Sequence, residues 1–203
     1  MVVEAVSGRE VVLGRLRAAI GESGAGIPVP RDYRREGAVD LDLLVDRLTD
    51  YRARVHRVPE TTVADTIADL LPASATVVVP PGLPSAWLPA TVTVLPDDGL
   101  DNARIAAADG VVTAAAVAVA ETGTVVLDGS PDQGRRVLSL LPDLHICVVR
   151  AAQVVAGVPA ALARLTPHRP LTWISGPSAT SDIELHRVEG VHGPRTLHVI
   201  LLP

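Results

Sequence analysis

The sequence predicts an α/β protein built on a largely parallel β-sheet with flanking helices. Short runs rich in Val, Leu and Ile alternate with segments of helical periodicity, an order that is typical of parallel strands joined by crossover helices. The 203-residue chain is 48% hydrophobic, yet it has no Phe and only two Trp and two Tyr. Aliphatic side chains must therefore fill the core. We expect one compact globular domain with an N-terminal appendage.

The first 39 residues predict a helix followed by an extended arm. Ser7 and Glu10 have the spacing of a capping box, and apolar residues recur at helical spacing, so we predict a helix from Gly8 to Ile20. Residues 21–37 are rich in Gly and Pro and contain a charged cluster, which indicates a long loop or arm that could wrap a partner subunit in a homo-oligomer. We place the domain boundary between residues 39 and 40.

Residues 40–203 predict the α/β domain. Asp40 caps a second helix, and further helices are predicted at 62–71, 102–108, 134–141 and 159–165. The predicted strands are 52–58, 76–79, 91–95, 112–119, 124–127, 144–149, 171–174 and 196–202. The two strands at 112–119 and 124–127 flank a tight turn, so we expect them to be antiparallel neighbours with Glu121 at a strand end.

Charge and composition exclude several classes of function. The net charge is −5, and the 18 basic side chains, all Arg, are scattered along the chain. We therefore expect no nucleic-acid partner and no binding to an anionic membrane. The absence of lysine excludes Schiff-base enzymes, PLP enzymes and a P-loop of the usual kind.

The single cysteine, Cys147, lies in an apolar run and cannot by itself hold zinc or an iron-sulfur cluster. We interpret it as a small buried hydrophobe and predict no cofactor of the protein's own. The N-terminus has no pattern of a secretory signal, and the longest apolar stretch is shorter than a membrane span. These features predict a cytoplasmic protein without membrane insertion.

The turn at 120–124 is the first candidate for a ligand site. Glu121 follows an apolar strand and precedes Gly123, in the position where ligands bind beyond the strand ends of open α/β sheets. Its carboxylate could act as a base, a nucleophile or a substrate anchor. The structural alternative is a turn residue that pairs with a nearby Arg.

A second polar segment, 175–184, and the Gly-rich stretch 190–194 complete the candidate site. We predict a strand, a Gly-Pro turn and a helix start near Ser181, whose free N–H groups would favour a small carboxylate or phosphate. The alternative is simply a well-capped helix. The candidate catalytic residue is Glu121, and the candidate ligand-binding residues are Thr122, Gly123, Thr124, Gly176, Ser178, Thr180, Ser181, Asp182, Glu184, His192 and Gly193.

Other polar residues are also candidate ligands. Asp182, Glu184, His186 and His192 are ligand types that suit Mn, Fe or Zn, but their spacing fits no compact motif, and we predict no metal. The segment 133–136 could bring a guanidinium to an acidic ligand, although turn chemistry alone also explains it. His145, inside an apolar strand, is predicted to be a hydrogen-bonded core histidine.

The segments 120–124, 127–134, 174–184 and 190–194, in this order and spacing, resemble the LUD domain of the lactate utilization protein C family. The resemblance covers most of the chain. It implies an α/β fold similar to the sugar-phosphate isomerase and CoA-transferase superfamily, the NagB/RpiA/CoA-transferase-like fold. It also implies a role in oxidising L-lactate to pyruvate together with iron-sulfur partner proteins, which would carry any electron-transfer cofactor.

Two alternative functions stay open. CoA transferases use a glutamate at a strand end, so the chain could be a free-standing CoA or acyl transferase with Glu121 as its nucleophile. It could also be a ligand-binding regulator without chemistry.

Overall fold

A computed structural model describes residues 7–21, 28–34, 37–180, 188–189 and 193–203, with only the backbone for residues 180, 188 and 189. The chain divides into two compact units, Met1–Tyr33 and Arg34–Pro203. The predicted domain boundary between residues 39 and 40 stays a prediction. Among the described residues, no helix has both the length and the hydropathy needed to cross a bilayer.

The N-terminal unit contains helix α1, Gly8–Ile20, as predicted. The predicted capping box is confirmed. The Glu10 N–H donates to the Ser7 hydroxyl at 3.3 Å, and the Ser7 N–H donates to the Glu10 carboxylate at 2.9 Å. None of the residues of α1 is buried. The local capping pattern, rather than packing, therefore accounts for where this helix begins.

The main sheet of the second unit has six strands, and every neighbouring pair is parallel. The strands are β1 Arg54–Arg57, β2 Thr76–Val79, β3 Thr93–Pro96, β4 Gly110–Ala114, β7 Leu144–Arg150 and β12 Thr196–Leu202. Their order across the sheet is β1-β12-β7-β4-β2-β3. The predicted parallel sheet is thus confirmed.

A smaller sheet holds the candidate turn. Its order is β8-β5-β6-β9, and β6 pairs antiparallel with both β5 and β9. A separate two-stranded ladder joins β10 to β11. The strands are β5 Val117–Val119, β6 Thr124–Leu127, β8 Val154–Val155, β9 Thr172–Ile174, β10 Ala179–Thr180 and β11 Val188–Glu189.

Helices cover both faces of the main sheet. Helix α2, Leu41–Asp50, begins at Asp40, whose carboxylate accepts hydrogen bonds from two backbone N–H groups as predicted. Its Leu44 and Leu48 are fully buried in a cluster with one sheet face. Helix α3, Val63–Leu70, packs on the opposite face together with Trp87. The remaining helices are α4 Asn102–Ala106 and α5 Val158–Arg164.

Three sequence-based predictions about elements are wrong. The strand predicted at 112–119 is two strands in two sheets, because the chain bends between Ala114 and Val117. The helix predicted at 134–141 is a short 3₁₀ turn, Arg136–Ser139. The helix start predicted around Ser178 to Ser181 is wrong at Ala179 and Thr180, which form strand β10 because they pair with β11. Ser181 itself lies outside the described residues.

Candidate functional site

A row of hydroxyl groups joins the two polar segments that the sequence singles out. Strands β6 and β9 are neighbours, so the turn after β5 meets the segment that follows β9. The Thr124 hydroxyl lies 2.7 Å from the hydroxyl of Thr122 and 2.7 Å from that of Ser175. These groups bond to one another, and their contacts hold the two segments together.

Two of the candidate glycines lie against helix α2. Gly123 and Gly176 have φ values of +57° and +92°. A Cβ at Gly123 would lie 2.6 Å from the Cβ of Arg47, and one at Gly176 would lie 2.4 Å from the carbonyl oxygen of Tyr51. Both positions therefore require glycine for backbone conformation and for close packing. Their proposed contact with a ligand stays a prediction.

Glu121 lies at the end of β5, in the smaller sheet. Its carboxylate accepts a hydrogen bond from the Arg34 guanidinium, and its N–H donates to Ala156 at 3.0 Å. Its Oε2 would be 2.8 Å from a Cβ at Gly157, so the glycine makes room for the carboxylate. The side chain is 39% exposed, and together with Thr122 it lines a separate cavity of about 560 Å³ beside Arg47, Asp50 and Tyr51. The ion pair with Arg34 agrees with the structural alternative, and the catalytic role of Glu121 stays a prediction.

A cavity of about 470 Å³, here called the Ser178 cavity, lies near the amino ends of β7 and β12. It brings together three candidate residues, Gly176, Ser178 and Gly193. The Ser178 N–H donates to the carbonyl oxygen of Pro194 at 2.8 Å, which joins these two segments of the cavity lining. Thr180 is described only as backbone in β10. The candidates Ser181, Asp182, Glu184 and His192 lie outside the described residues, as does His186.

His145 lines the same cavity from strand β7. It is 1% exposed, and its Nε2 lies 2.8 Å from the Thr113 hydroxyl. Burial lowers the pKa of the imidazole to about 4, so the ring is neutral near pH 7. The prediction of a hydrogen-bonded core histidine is confirmed. The sequence did not indicate that this ring would also reach a cavity.

Cys147 is fully buried two residues further along the same strand, as predicted. Burial raises the pKa of its thiol to about 12, so it is protonated at neutral pH. A thiol in that state is neither a nucleophile nor a metal ligand. Among the described residues, no three His, Cys, Asp or Glu side chains group together as metal ligands.

A second cavity of about 520 Å³, here called the Arg169 cavity, lies beyond the carboxyl ends of β2 and β3. It shares Arg136, Ser139 and Thr172 with the Ser178 cavity, so the two form adjoining parts of one cleft. The sequence did not identify this cavity. Three residues of the segment 133–136, for which the sequence predicts either a guanidinium aimed at an acidic ligand or turn chemistry alone, line this cavity.

Two arginines of the Arg169 cavity are held by buried carboxylates. Arg135 donates to both oxygens of Asp97 at 2.8 and 2.5 Å, and the Asp97 side chain is only 2% exposed. Arg169 donates through Nη1 to Asp128 and to the Ser130 hydroxyl, at 2.8 Å each. Burial raises the pKa of Asp128, but hydrogen bonds from Ser130 and Arg169 outweigh it, and the pKa is lowered overall. Asp128 is therefore ionised.

Arg136 differs from these two arginines. Arg136 lines both cavities, and its guanidinium makes no ion pair or hydrogen bond with any residue that the structure describes. The sequence indicated that segment 133–136 could bring a guanidinium to an acidic ligand, but it could not distinguish Arg136 from the paired Arg135. An unpaired guanidinium in a cleft is suited to bind a carboxylate or a phosphate.

The fold is that of a solved relative. A crystal structure of a DUF162 family protein from Deinococcus radiodurans matches this chain with a TM-score of 0.69 and 43% sequence identity, covering 80% of this chain and 96% of that one. The predicted α/β fold is confirmed by this neighbour. It defines the class of protein as a mixed α/β domain with a largely parallel sheet.

The sequence comparisons identify the family. Residues 41–202 match the LUD domain. A Deinococcus radiodurans protein named lactate utilization protein C is 49% identical over 180 residues, which covers 86% of this chain and 84% of the relative. A Bacillus subtilis protein of the same name is 37% identical over 115 residues, 52% of this chain and 48% of that protein. The chain belongs to the LUD domain family, as its resemblance implied.

Proposed function

We propose that this protein is a component of an L-lactate utilization system and that it binds a small carboxylate in the Ser178 cavity. The observation that carries the proposal is the 49% identity to a relative named lactate utilization protein C, over more than four fifths of both chains. The family names support the role in lactate utilization. The binding site is inferred from the chemistry of the residues, and the partners are inferred from the family resemblance.

Arg136 is the proposed anchor of the carboxylate. A guanidinium offers N–H donors in a planar fork that matches the two oxygens of a carboxylate. No carboxylate of the described residues pairs with Arg136, so a bound anion would not have to displace one of them. The neutral imidazole of His145 and the Ser178 segment supply further polar surface in the same cavity.

Oxidation of lactate to pyruvate releases two electrons, and an acceptor must take them. The chain has a single cysteine, whose thiol is buried and protonated, and an iron-sulfur cluster needs several thiolate ligands. We therefore propose, as the family resemblance implies, that iron-sulfur partner proteins accept the electrons. In this proposal, the protein binds and orients the small carboxylate within the assembly.

Growth on L-lactate tests this proposal. A strain that lacks the gene is complemented with the wild-type protein, with Arg136→Gln or with Arg104→Gln, an exposed arginine of α4 that lines neither cavity. We expect the deletion to abolish growth on L-lactate but not on glucose. Wild type and Arg104→Gln should restore it, and Arg136→Gln should not. Normal growth of the deletion strain on L-lactate would contradict the role, and full rescue by Arg136→Gln would contradict the site.

A further inference from the structure

We propose that the Arg169 cavity is a second ligand site, and that its ligand is a phosphate ester with an apolar or ring-shaped organic group. The proposal goes beyond the lactate role, because it concerns a different cavity and a different class of ligand. It rests on how the arginines are held, on the balance of charge and on the walls of the cavity.

The arginines of this cavity are fixed before any ligand binds. Asp97 accepts hydrogen bonds from Nε and Nη2 of Arg135. Asp128 accepts a hydrogen bond only from Nη1 of Arg169. The Nη1 of Arg135 and the Nε and Nη2 of Arg169 make no hydrogen bond to a described residue. Both guanidinium groups thus keep donors available while their orientation is set by carboxylates that are almost fully buried. Such preorganisation reduces the entropy lost when an anion binds.

The charges of the cavity favour an anion. The carboxylates of Asp97 and Asp128 balance the charges of Arg135 and Arg169, and Arg136 leaves one net positive charge among the described residues. The donors come from two separate chain segments, 135–136 and 169. A phosphate monoester presents three terminal oxygens in different directions, whereas a carboxylate presents two in one plane. Donors from two segments therefore favour phosphate.

The rest of the cavity is suited to an organic group. Its walls include the apolar side chains of Pro81, Leu127, Pro131 and Pro170. Its volume of about 520 Å³ is in the range of sites that hold whole organic ligands. Inorganic phosphate alone would leave these apolar walls exposed to water. A ring or apolar group joined to the phosphate would bury these walls, and guanidinium faces also stack on rings.

Titration calorimetry with simple probes tests the site. The probes are phenyl phosphate and AMP as phosphate esters, with inorganic phosphate, phenol and adenosine as their separate halves. We expect at least one ester to bind the wild-type protein at least about 10-fold more tightly than either of its halves. Failure of both esters to bind, or binding no tighter than that of the halves, would overturn the proposal.

A matched pair of variants locates the binding. Pro170 is an exposed residue of the cavity wall, and a proline has no N–H to lose. Pro170→Glu adds a negative charge there, and Pro170→Gln adds a side chain of the same shape without charge. We expect Pro170→Glu to weaken ester binding at least about 10-fold and Pro170→Gln to stay within about 3-fold of wild type. Equal effects of the two variants would contradict the site.

Arg169→Lys gives an independent check. The lysine keeps a positive charge beside Asp128 but loses the planar fork, so we expect ester binding to fall about 10-fold while the thermal unfolding midpoint stays close to that of wild type. Unchanged ester binding in this variant would overturn the proposal. L-Lactate binding, measured in parallel, separates the two proposals. Its absence in the wild type would contradict the carboxylate site alone, and loss of ester binding on Ser178→Ala would contradict a separate second site.

Discussion

Glu121 lies where the sequence predicts a functional carboxylate, and the structure pairs it with the Arg34 guanidinium. Its partner, Arg34, lies 87 positions earlier in the chain and is 73% exposed. The sequence indicated that a turn carboxylate there could pair with an arginine. It could not indicate which arginine, because no local pattern connects two positions that are 87 residues apart. The same limit applies to the arginines at 135 and 136, because the sequence could not indicate that Asp97 would pair with Arg135.

Replacing Glu121 separates a structural role from a catalytic one. The ion pair is exposed, so we expect Glu121→Gln to change the free energy of unfolding by less than about 1 kcal/mol. Growth on L-lactate should be impaired only partially, and Arg34→Gln should have a similar effect because it breaks the same pair. Urea unfolding and growth curves measure both. Complete loss of function in Glu121→Gln alone, with an acyl or CoA adduct on the wild-type residue by mass spectrometry, would support the transferase alternative.

The histidines make stability depend on pH. His56 Nε2 lies 2.9 Å from His198 Nδ1, a pairing across β1 and β12 that the sequence did not reveal. Burial, and then the charges of His56 and Arg54, lower the pKa of His198 to about 4. Burial lowers the pKa of His145 to about 4 as well. The unfolded imidazoles bind protons near pH 6.5, so the unfolded chain takes up more protons between about pH 6.5 and 4.

We therefore expect the free energy of unfolding to fall as the pH drops from about 6.5 to about 4, by on the order of 2–3 kcal/mol for each buried imidazole. Urea unfolding at several pH values measures this slope. His198→Asn should reduce the slope, and His168→Asn, at an exposed position, should leave it unchanged. Stability that stays constant over this range, or an equal slope in both variants, would contradict the assignment of buried neutral histidines.

At the scale of elements, the sequence correctly predicted the features that depend on residues close to one another in the chain. The caps of α1 and α2 and the positions of the central strands follow from side chains near each element. The bend between β4 and β5 could not be predicted, because the apolar run has no Gly or Pro to mark it. At the end of β4, the Ala114 N–H donates to the carbonyl oxygen of Asp132, a contact that the local sequence does not reveal. The sequence predicts a helix start where strand β10 forms, and the capping pattern could not reveal the pairing of β10 with β11.

The packing of two turns on α2 leads to a prediction for the glycines. A Cβ at Gly176 would overlap the backbone of Tyr51, and the backbone there has a positive φ. We expect Gly176→Ala to lower the free energy of unfolding by about 2 kcal/mol or more. Gly99 is the matched control, since it also has a positive φ but nothing within 4 Å of an added Cβ. Gly99→Ala should lower the free energy of unfolding only by the cost of placing alanine at a positive φ, about 1 kcal/mol. Equal losses in thermal or urea unfolding would show that contact with α2 is unimportant.

At the scale of the whole molecule, the sequence predicted the fold class better than the site. Alternating strands and helices and an aliphatic core are sufficient to indicate a parallel α/β sheet, and the solved relative confirms it. The cleft is formed by side chains from distant parts of the chain, including 81, 97, 136, 145 and 169. No spacing pattern connects these positions. Of the proposed residues that the structure describes, Gly176, Ser178 and Gly193 line the Ser178 cavity, whereas Glu121 and Thr122 line a separate cavity outside this cleft.

The measurement that most directly tests the central claim is calorimetric titration of L-lactate into the wild-type protein, Arg136→Gln and the control Arg104→Gln. A charge-assisted hydrogen bond contributes about 1.5–3 kcal/mol, so its loss should weaken binding by roughly 10- to 100-fold. The account predicts saturable binding to wild type and to Arg104→Gln with similar affinity, and binding to Arg136→Gln that is weaker by at least about 10-fold. Equal affinity in all three proteins, or no binding to the wild type, would contradict it.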